Sequence, residues 1–263
     1  MGAPLTYLGF HAVFVIPPIV LLGWLAYHRE GAMWGKPAHS GLAIIIGLAV
    51  LYTTPWTNMM IPEGVWWYAD GTVIATIWHT PLEEYMFFIL QPLLTGFWLY
   101  HVMPRADLSL SIPTWHRAVG AMAGLGISVG GWWLMATEST FYLGSLLWWS
   151  GPILAIQWAF GITYLVAVWR RAAVAIGVPT LYLWVADWTA IELGIWVISS
   201  THTTGYGLAG LPIEEALFFL CTNVFIVQGV VLYVWVVDQR PELFTVGTID
   251  SALAAVRARI DSR

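Results

Sequence analysis

Seven apolar runs dominate this 263-residue chain and leave few folds open to it. They cover roughly residues 5–27, 40–57, 79–101, 116–136, 141–168, 173–199 and 212–237. Each reaches the ~17–25 residues that carry an α-helix across the hydrocarbon of a bilayer. Lipid offers the backbone no hydrogen bonds, so repeated runs of this kind imply an all-α membrane bundle of seven transmembrane helices. A mean hydropathy of +0.74 with only 10% charged residues lies outside the usual range of soluble domains. The first run has no basic leader and no small-residue cleavage site, so a span is expected there rather than a removed signal. Cys221 is the single cysteine, which excludes an intramolecular disulfide and any multi-cysteine metal site.

The basic residues predict an orientation. Arg29 and Lys36 follow the first run, Arg105 and Arg117 flank the gap after the third, and Arg170 and Arg171 follow the fifth. Arg240, Arg257, Arg259 and Arg263 lie in the tail. With seven spans all ten fall on one side, which predicts an outside N-terminus and a cytoplasmic C-terminus in a multi-pass cell-membrane protein. In the tail, Ile249, Leu253, Val256 and Ile260 share one helical stripe, so either an amphipathic helix on the cytoplasmic leaflet or a solvated segment fits.

One acidic motif occurs twice, 131 residues apart. Pro81-Leu82-Glu83-Glu84-Tyr85-Met86-Phe87-Phe88 matches Pro212-Ile213-Glu214-Glu215-Ala216-Leu217-Phe218-Phe219 at Pro, both Glu and both Phe. Charge at the edge of a membrane helix is costly and usually functional. The echo extends to Tyr7-Leu8-Gly9 with Pro17, against Tyr142-Leu143-Gly144 with Pro152, and to Trp56-Thr57-Asn58 against Asp187-Trp188-Thr189. The chain therefore divides into a first three-helix repeat at 1–107, a linker helix within 108–137, a second repeat at 138–238 and a tail at 239–263. A linker span restores the orientation of the second copy, which predicts parallel repeats about an axis along the membrane normal. The linker carries Gly120, Gly124, Gly126, Gly130 and Gly131, which suit close helix packing. Its glycine spacing is wrong for a nucleotide loop and no strand precedes it.

Helical phase assigns directions to the acids. Glu84, Phe88, Gln91 and Thr95 share a face, and Glu215, Phe219 and Thr222 share the equivalent one. A polar stripe faces a bundle interior, so Glu84 and Glu215 are expected in a cavity, with Glu83 and Glu214 supporting them. Thr80-Pro81-Leu82-Glu83 also fits a capping box, although Leu211 cannot cap the second copy. Asp187 and Glu192 are about 140° apart around their helix and should face different neighbours. Asp187 is either a partner of the glutamates or a hydrogen-bonded structural acid, with Asn58 as its polar counterpart. Trp56, Trp184 and Trp188 are candidate cavity walls, whereas Trp66, Trp67, Trp132 and Trp133 suit an interfacial belt. His79 is placed to reach Glu83 or to sit at the interface.

A carboxyl group in a low-dielectric cavity tends to keep its proton, a second carboxyl favours sharing it, and a helix N-terminus favours the anion. Such a set can protonate an alkene and take a proton back, and aromatic faces stabilise the intervening cation. The histidines lack metal-ligand spacing. The only lysine, Lys36, lies between runs, which excludes a Schiff-base photoreceptor. Aspartate-rich diphosphate clusters with basic partners are missing, against a prenyltransferase. In the Glu-Glu-x-x-x-Arg pattern of intramembrane glutamate proteases, Phe88 and Phe219 occupy the Arg place. On residues alone a proton-coupled transporter and a non-catalytic lipid- or isoprenoid-binding protein stay open.

The paired Pro-x-Glu-Glu-x-x-Phe-Phe motifs in a seven-span chain resemble the heterodimer-type lycopene cyclases, here in their fused single-chain form over residues 1–240. Pro55-Trp56-Thr57-Asn58 is similar to the family's Pro-Trp-Asp stretch, with Thr57 where Asp is usual. The resemblance implies acid-catalysed β-cyclisation of the ψ-ends of lycopene through a carbocation, with Glu83, Glu84, Glu214, Glu215 and Asp187 as catalytic candidates. Asn58, Trp56, Trp184, Trp188, Phe88 and Phe219 would line the substrate. It implies no net redox and no required cofactor, which agrees with the lack of a nucleotide motif. The implied partners are an apolar carotenoid drawn from the bilayer and other enzymes of the carotenoid pathway, with no nucleic acid. The family also cyclises longer C50 carotenoids.

Overall fold

A computed structural model describes residues 4–29, 35–103 and 113–245, with side chains to residue 238. Helices α1 (Tyr7–Phe10) and α2 (Ile16–His28) are joined through a π-turn at His11–Val15 into one rod. Pro17 and Pro18 lack the N–H groups that α-helical bonding to residues 13 and 14 needs, and the ladder widens just before them. Six longer helices follow: α3 (Lys36–Met60), α4 (Leu82–Val102), α5 (Thr114–Leu134), α6 (Phe141–Ala167), α7 (Trp169–Glu192) and α8 (Ile213–Thr245). Five segments are long and apolar enough to cross a membrane: Tyr7–His28, Lys36–Met60, Glu138–Ala167, Trp169–Glu192 and Ile213–Asp238. Helices α4 and α5 have the length of a span, 21 residues each, but are less apolar. The tail stripe from Ile249 to Ile260, and Arg105, Arg240, Arg257, Arg259 and Arg263, lie outside the described residues or side chains.

The segment between α3 and α4 and the one between α7 and α8 are built alike, which the apolar runs did not reveal. In each, a three-residue strand comes first: β1 (Trp66–Tyr68) and β4 (Trp196–Ile198). A tight hairpin then leads into the acidic helix: β2 (Thr76–Ile77) with β3 (Thr80–Pro81), and β5 (Gly207–Leu208) with β6 (Leu211–Pro212). Strands β1 and β4 pair antiparallel with each other, Trp67 opposite Val197 at the centre. The run expected at 173–199 therefore ends as a helix at Glu192. Gly194, at φ +67°, turns the chain and the strand begins at Trp196. Likewise the run expected from 79 becomes helical only at Leu82.

Glycine explains the α5–α6 contact. A Cβ on Gly124 would lie 2.2 Å from Ala155 N, and one on Gly131 2.3 Å from Trp148 N. Gly120 meets Trp158, while Gly144 and Gly151 present small surfaces from the α6 side. Backbones touch along the whole pair, as small-residue stripes allow. Gly126 and Gly130 face open space and contribute nothing to the contact. Elsewhere α8 packs against α3, α4, α6 and α7, and α4 against α2, α3 and α7. The two acidic helices thus sit adjacent at the centre.

Candidate active site

Alternation along the ribbon places its side chains. Trp66, Tyr68, Trp196 and Ile198 point into a chamber, while Trp67 and Val197 point away and are partly exposed. This ribbon roofs a small cavity whose walls come from α1, α3, α4, α6, α7 and α8. Glu84, Glu215 and Asp187 all line it. Leu82 and Ile213 start their helices at equivalent points, so the second glutamate of each pair turns inward.

Each chamber acid accepts a hydrogen bond from an aromatic side chain. Tyr68 O–H donates to Glu84 Oε2, and Trp66 Nε1 donates to Tyr68 Oη at 3.1 Å. Tyr142 O–H donates to Glu215 Oε1 at 2.7 Å. Trp196 Nε1 donates to Asp187 Oδ1 at 3.0 Å, and Asp187 Oδ2 is buried without a partner. Among the described residues, no Lys, Arg or His lines the chamber. The remaining walls are aromatic: Tyr7, Trp56, Phe87, Phe88, Phe218 and Phe219. Trp56 and Phe218 stack at 5.8 Å with a 9° interplanar angle.

Glu83 and Glu214 do different work. Glu83 Oε1 accepts from Ile74 N–H at 2.8 Å, and Glu214 Oε1 accepts from both Thr204 N–H and Thr204 Oγ1–H, each at 2.8 Å. Both side chains are fully buried and fasten the hairpin to its helix. This corrects the capping box, in which Glu83 would have folded back on Thr80. Thr80 instead meets Thr57, Oγ1 to Oγ1, at 3.2 Å. Glu83→Gln keeps a carbonyl acceptor and should leave stability close to that of the parent. Glu214→Leu strands the Thr204 N–H and should cost ~1–3 kcal/mol. Denaturation of the two purified variants in detergent compares them, and equal losses would contradict the hairpin role.

Several expected wall residues lie elsewhere. Asn58 points away from the chamber; its Nδ2 donates to Thr54 O and Tyr85 Oη, and its Oδ1 accepts from His79 N–H at 2.9 Å. His79 is thus tied to Asn58 and does not reach Glu83. The turns after α3 and α7 fix the register between the repeats. Val65 N–H bonds Met60 O where Ile195 N–H bonds Ala190 O, so Thr57, not Asn58, stands at the place of Asp187. Trp184 does not line the chamber; it is half-buried and donates to Ala216 O at 2.9 Å. Trp188, about 100° around the helix from Asp187, is 40% exposed. Glu192 is exposed and diverges from buried Asp187, as their spacing predicts. Below the chamber, the polar stripe bonds across helices. Gln91 Nε2 donates to Thr222 Oγ1 at 2.6 Å, Thr95 Oγ1 to Asn223 Oδ1 at 2.7 Å and Asn223 Nδ2 to Thr180 Oγ1 at 3.0 Å.

The lining residues missed from sequence are Tyr7, Tyr68, Tyr142, Trp66, Trp196, Phe87, Phe218 and Ile198. Trp66 is 6% exposed and belongs to the roof, not to an interfacial belt. The matching Tyr-Leu-Gly stretches carried the signal for Tyr7 and Tyr142. Tyr7 N–H bonds Thr72 O and Tyr142 N–H bonds His202 O, which ties each rod to its own hairpin segment. Nothing in the sequence marked His11, which is fully buried and donates from Nε2 to Glu83 O at 2.8 Å.

The family model described as lycopene cyclase matches residues 5–103 and 139–235. A lycopene beta-cyclase of Halobacterium salinarum is 46% identical over 237 residues, covering 88% of this chain and 97% of the relative. Bifunctional lycopene cyclase/phytoene synthases of Leptosphaeria maculans and Blakeslea trispora are 34% and 33% identical. These alignments cover 83% and 85% of this chain but only 39% and 38% of the relatives. No solved structure matches.

Proposed function

The chain belongs to the lycopene cyclase family, and on that premise we propose that its chamber closes the ψ-ends of lycopene into β-rings. The observation that carries the reading is the convergence of Glu84, Glu215 and Asp187 in one aromatic chamber. The protein is an intramolecular lyase of the isomerase class. A protonated carboxyl delivers its proton to C2, and the C1=C2 electron pair forms the new C–H bond. The C5=C6 pair then attacks the cation at C1, closes a six-membered ring and leaves the charge at C5. A carboxylate removes the C6 proton, and that C–H pair becomes the C5=C6 bond. One proton enters and one leaves, so no redox cofactor is needed. Trp56, Trp66, Trp196 and the four phenylalanines present π-faces to the transient cation. Tyr68, Tyr142 and Trp196 hold the carboxyls in place and stabilise whichever is anionic.

Substrate comes from the bilayer, and other enzymes of carotenoid synthesis are the natural neighbours; no nucleic acid is involved. The topology that suits this is seven spans with the N-terminus outside and the C-terminus cytoplasmic, which puts the chamber in the outer half of the membrane. Two parallel repeats are supported by the β1–β4 pairing, by the matched hydrogen bonds of Glu83 and Glu214, and by two family-matched segments of similar length. One chamber serves one end at a time, so the first ring must leave before the second can form. Expression in a lycopene-accumulating host should turn red pigment orange-yellow, with monocyclic product peaking before bicyclic. Unchanged lycopene beside membrane-inserted protein would refute the reading, and simultaneous appearance of both products would refute the single chamber.

A further inference from the structure

A second and larger cavity lies directly below the chamber and shares two walls with it, Phe88 and Phe218. We propose that this groove is the binding site for the unreacted polyene arm of the substrate while the opposite end occupies the chamber. The proposal rests on the cyclase reading and adds the site that fixes substrate length and entry.

Three observations carry it. The groove follows one stripe of α8 from Phe218 to Val236. At 1.5 Å per residue that is about 27 Å, a length suited to an extended chain rather than a compact ligand. Second, among the described residues its lining contains no charged residue, and most of its polar side chains are bonded within the protein. Tyr52 O–H donates to Trp149 O at 2.8 Å, Gln91 Nε2 to Thr222 Oγ1 at 2.6 Å and Gln157 Nε2 to Phe225 O at 2.9 Å. Gln157 Oε1 is buried without a partner, and the rest of the lining is mainly hydrocarbon and aromatic, so the walls ask for a ligand that is almost wholly apolar. Third, α3 and α6 both pack on α8 but make little contact with each other. They meet where Tyr52 stacks on Trp149 at 5.6 Å, near the chamber, and diverge beyond it. Leu48 and Ile156, 54% and 70% exposed, stand on either rim. A rigid polyene can slide in sideways from lipid between α3 and α6 and push its end past Phe88 and Phe218 into the chamber.

Ala49 on α3 and Ile153 on α6 wall the groove away from the acids. Ala49→Trp and Ile153→Trp would be reconstituted as full-length protein in liposomes containing lycopene. Parallel liposomes would contain a shortened polyene that keeps one ψ-end. Leu51→Trp, on the 73% exposed face of α3, is the bulk control. Each groove variant should lower kcat/KM for lycopene by about tenfold or more, the scale of an overpacked contact, while the shortened polyene and the control stay near parental rates. Parental rates on lycopene in both groove variants would overturn the assignment and leave the groove to ordinary acyl chains. Loss of both substrates in both groove variants would also overturn it, because the damage would then lie in the chamber or the fold. A parent inactive on both polyenes would instead sink the cyclase reading, and the groove's role with it.

Discussion

Glu84→Gln and Glu215→Gln should each lower lycopene turnover by about 10²–10⁴-fold, the usual contribution of a positioned acid or base. The amide keeps the shape of the carboxyl and can still accept from Tyr68 or Tyr142. What it loses is the transferable proton and the anionic state. Both side chains are about 7% exposed and line the chamber, so neither is a surface group whose loss solvent could mask. Glu83→Gln provides the internal contrast. It lies one residue away and is fully buried, yet its Oε1 is committed to Ile74 N–H. Product formation by membranes carrying equal amounts of each protein decides the matter. Near-parental turnover in either Glu84→Gln or Glu215→Gln would remove that residue from the proton transfer.

Gly124→Val should be the most destabilising single substitution on the α5–α6 contact. Its Cβ would lie 2.2 Å from Ala155 N and 2.5 Å from Ala155 Cα, both backbone atoms that no rotamer change can move. Separating the helices forfeits packing along the whole pair, at or beyond the ~1–3 kcal/mol of a typical overpacked site. Gly126→Val changes the same helix two residues on, where a Cβ meets nothing within 4 Å, and should be tolerated. Thermal unfolding in detergent and the yield in membranes separate them. Equal stability of the two variants would mean that α5 does not dock through Gly124.

Much of the site was legible because the two relevant signals are local. Doubled Pro-x-Glu-Glu-x-x-Phe-Phe gave the motif, and the 100° step between adjacent helix residues separated Glu84 from Glu83 and Glu215 from Glu214 without reference to any neighbour. The glycines of α5 announced close packing in the same way, though sequence could not say that Gly126 and Gly130 stand apart from it. Asp187 was found because an acid within an apolar run is conspicuous. The run boundaries failed at 79–81 and 193–199, where two- and three-residue strands hide inside apolar stretches too short to show alternation.

The sequence by itself thus determined a mostly helical fold with helices long and apolar enough to cross a membrane, two copies of an acidic helix start, and which glutamate of each pair turns inward. These follow from hydropathy and helical phase, properties that each segment carries alone. Only the tertiary structure decided that Tyr68, Tyr142 and Trp196 hold the acids, that Thr57 rather than Asn58 stands at the place of Asp187, and that Trp66 belongs to a roof. Those facts depend on β1 finding β4 about 130 residues away and on loops folding back over helix ends. Contacts of that range leave no periodicity in the chain, so no pattern along it could have placed them.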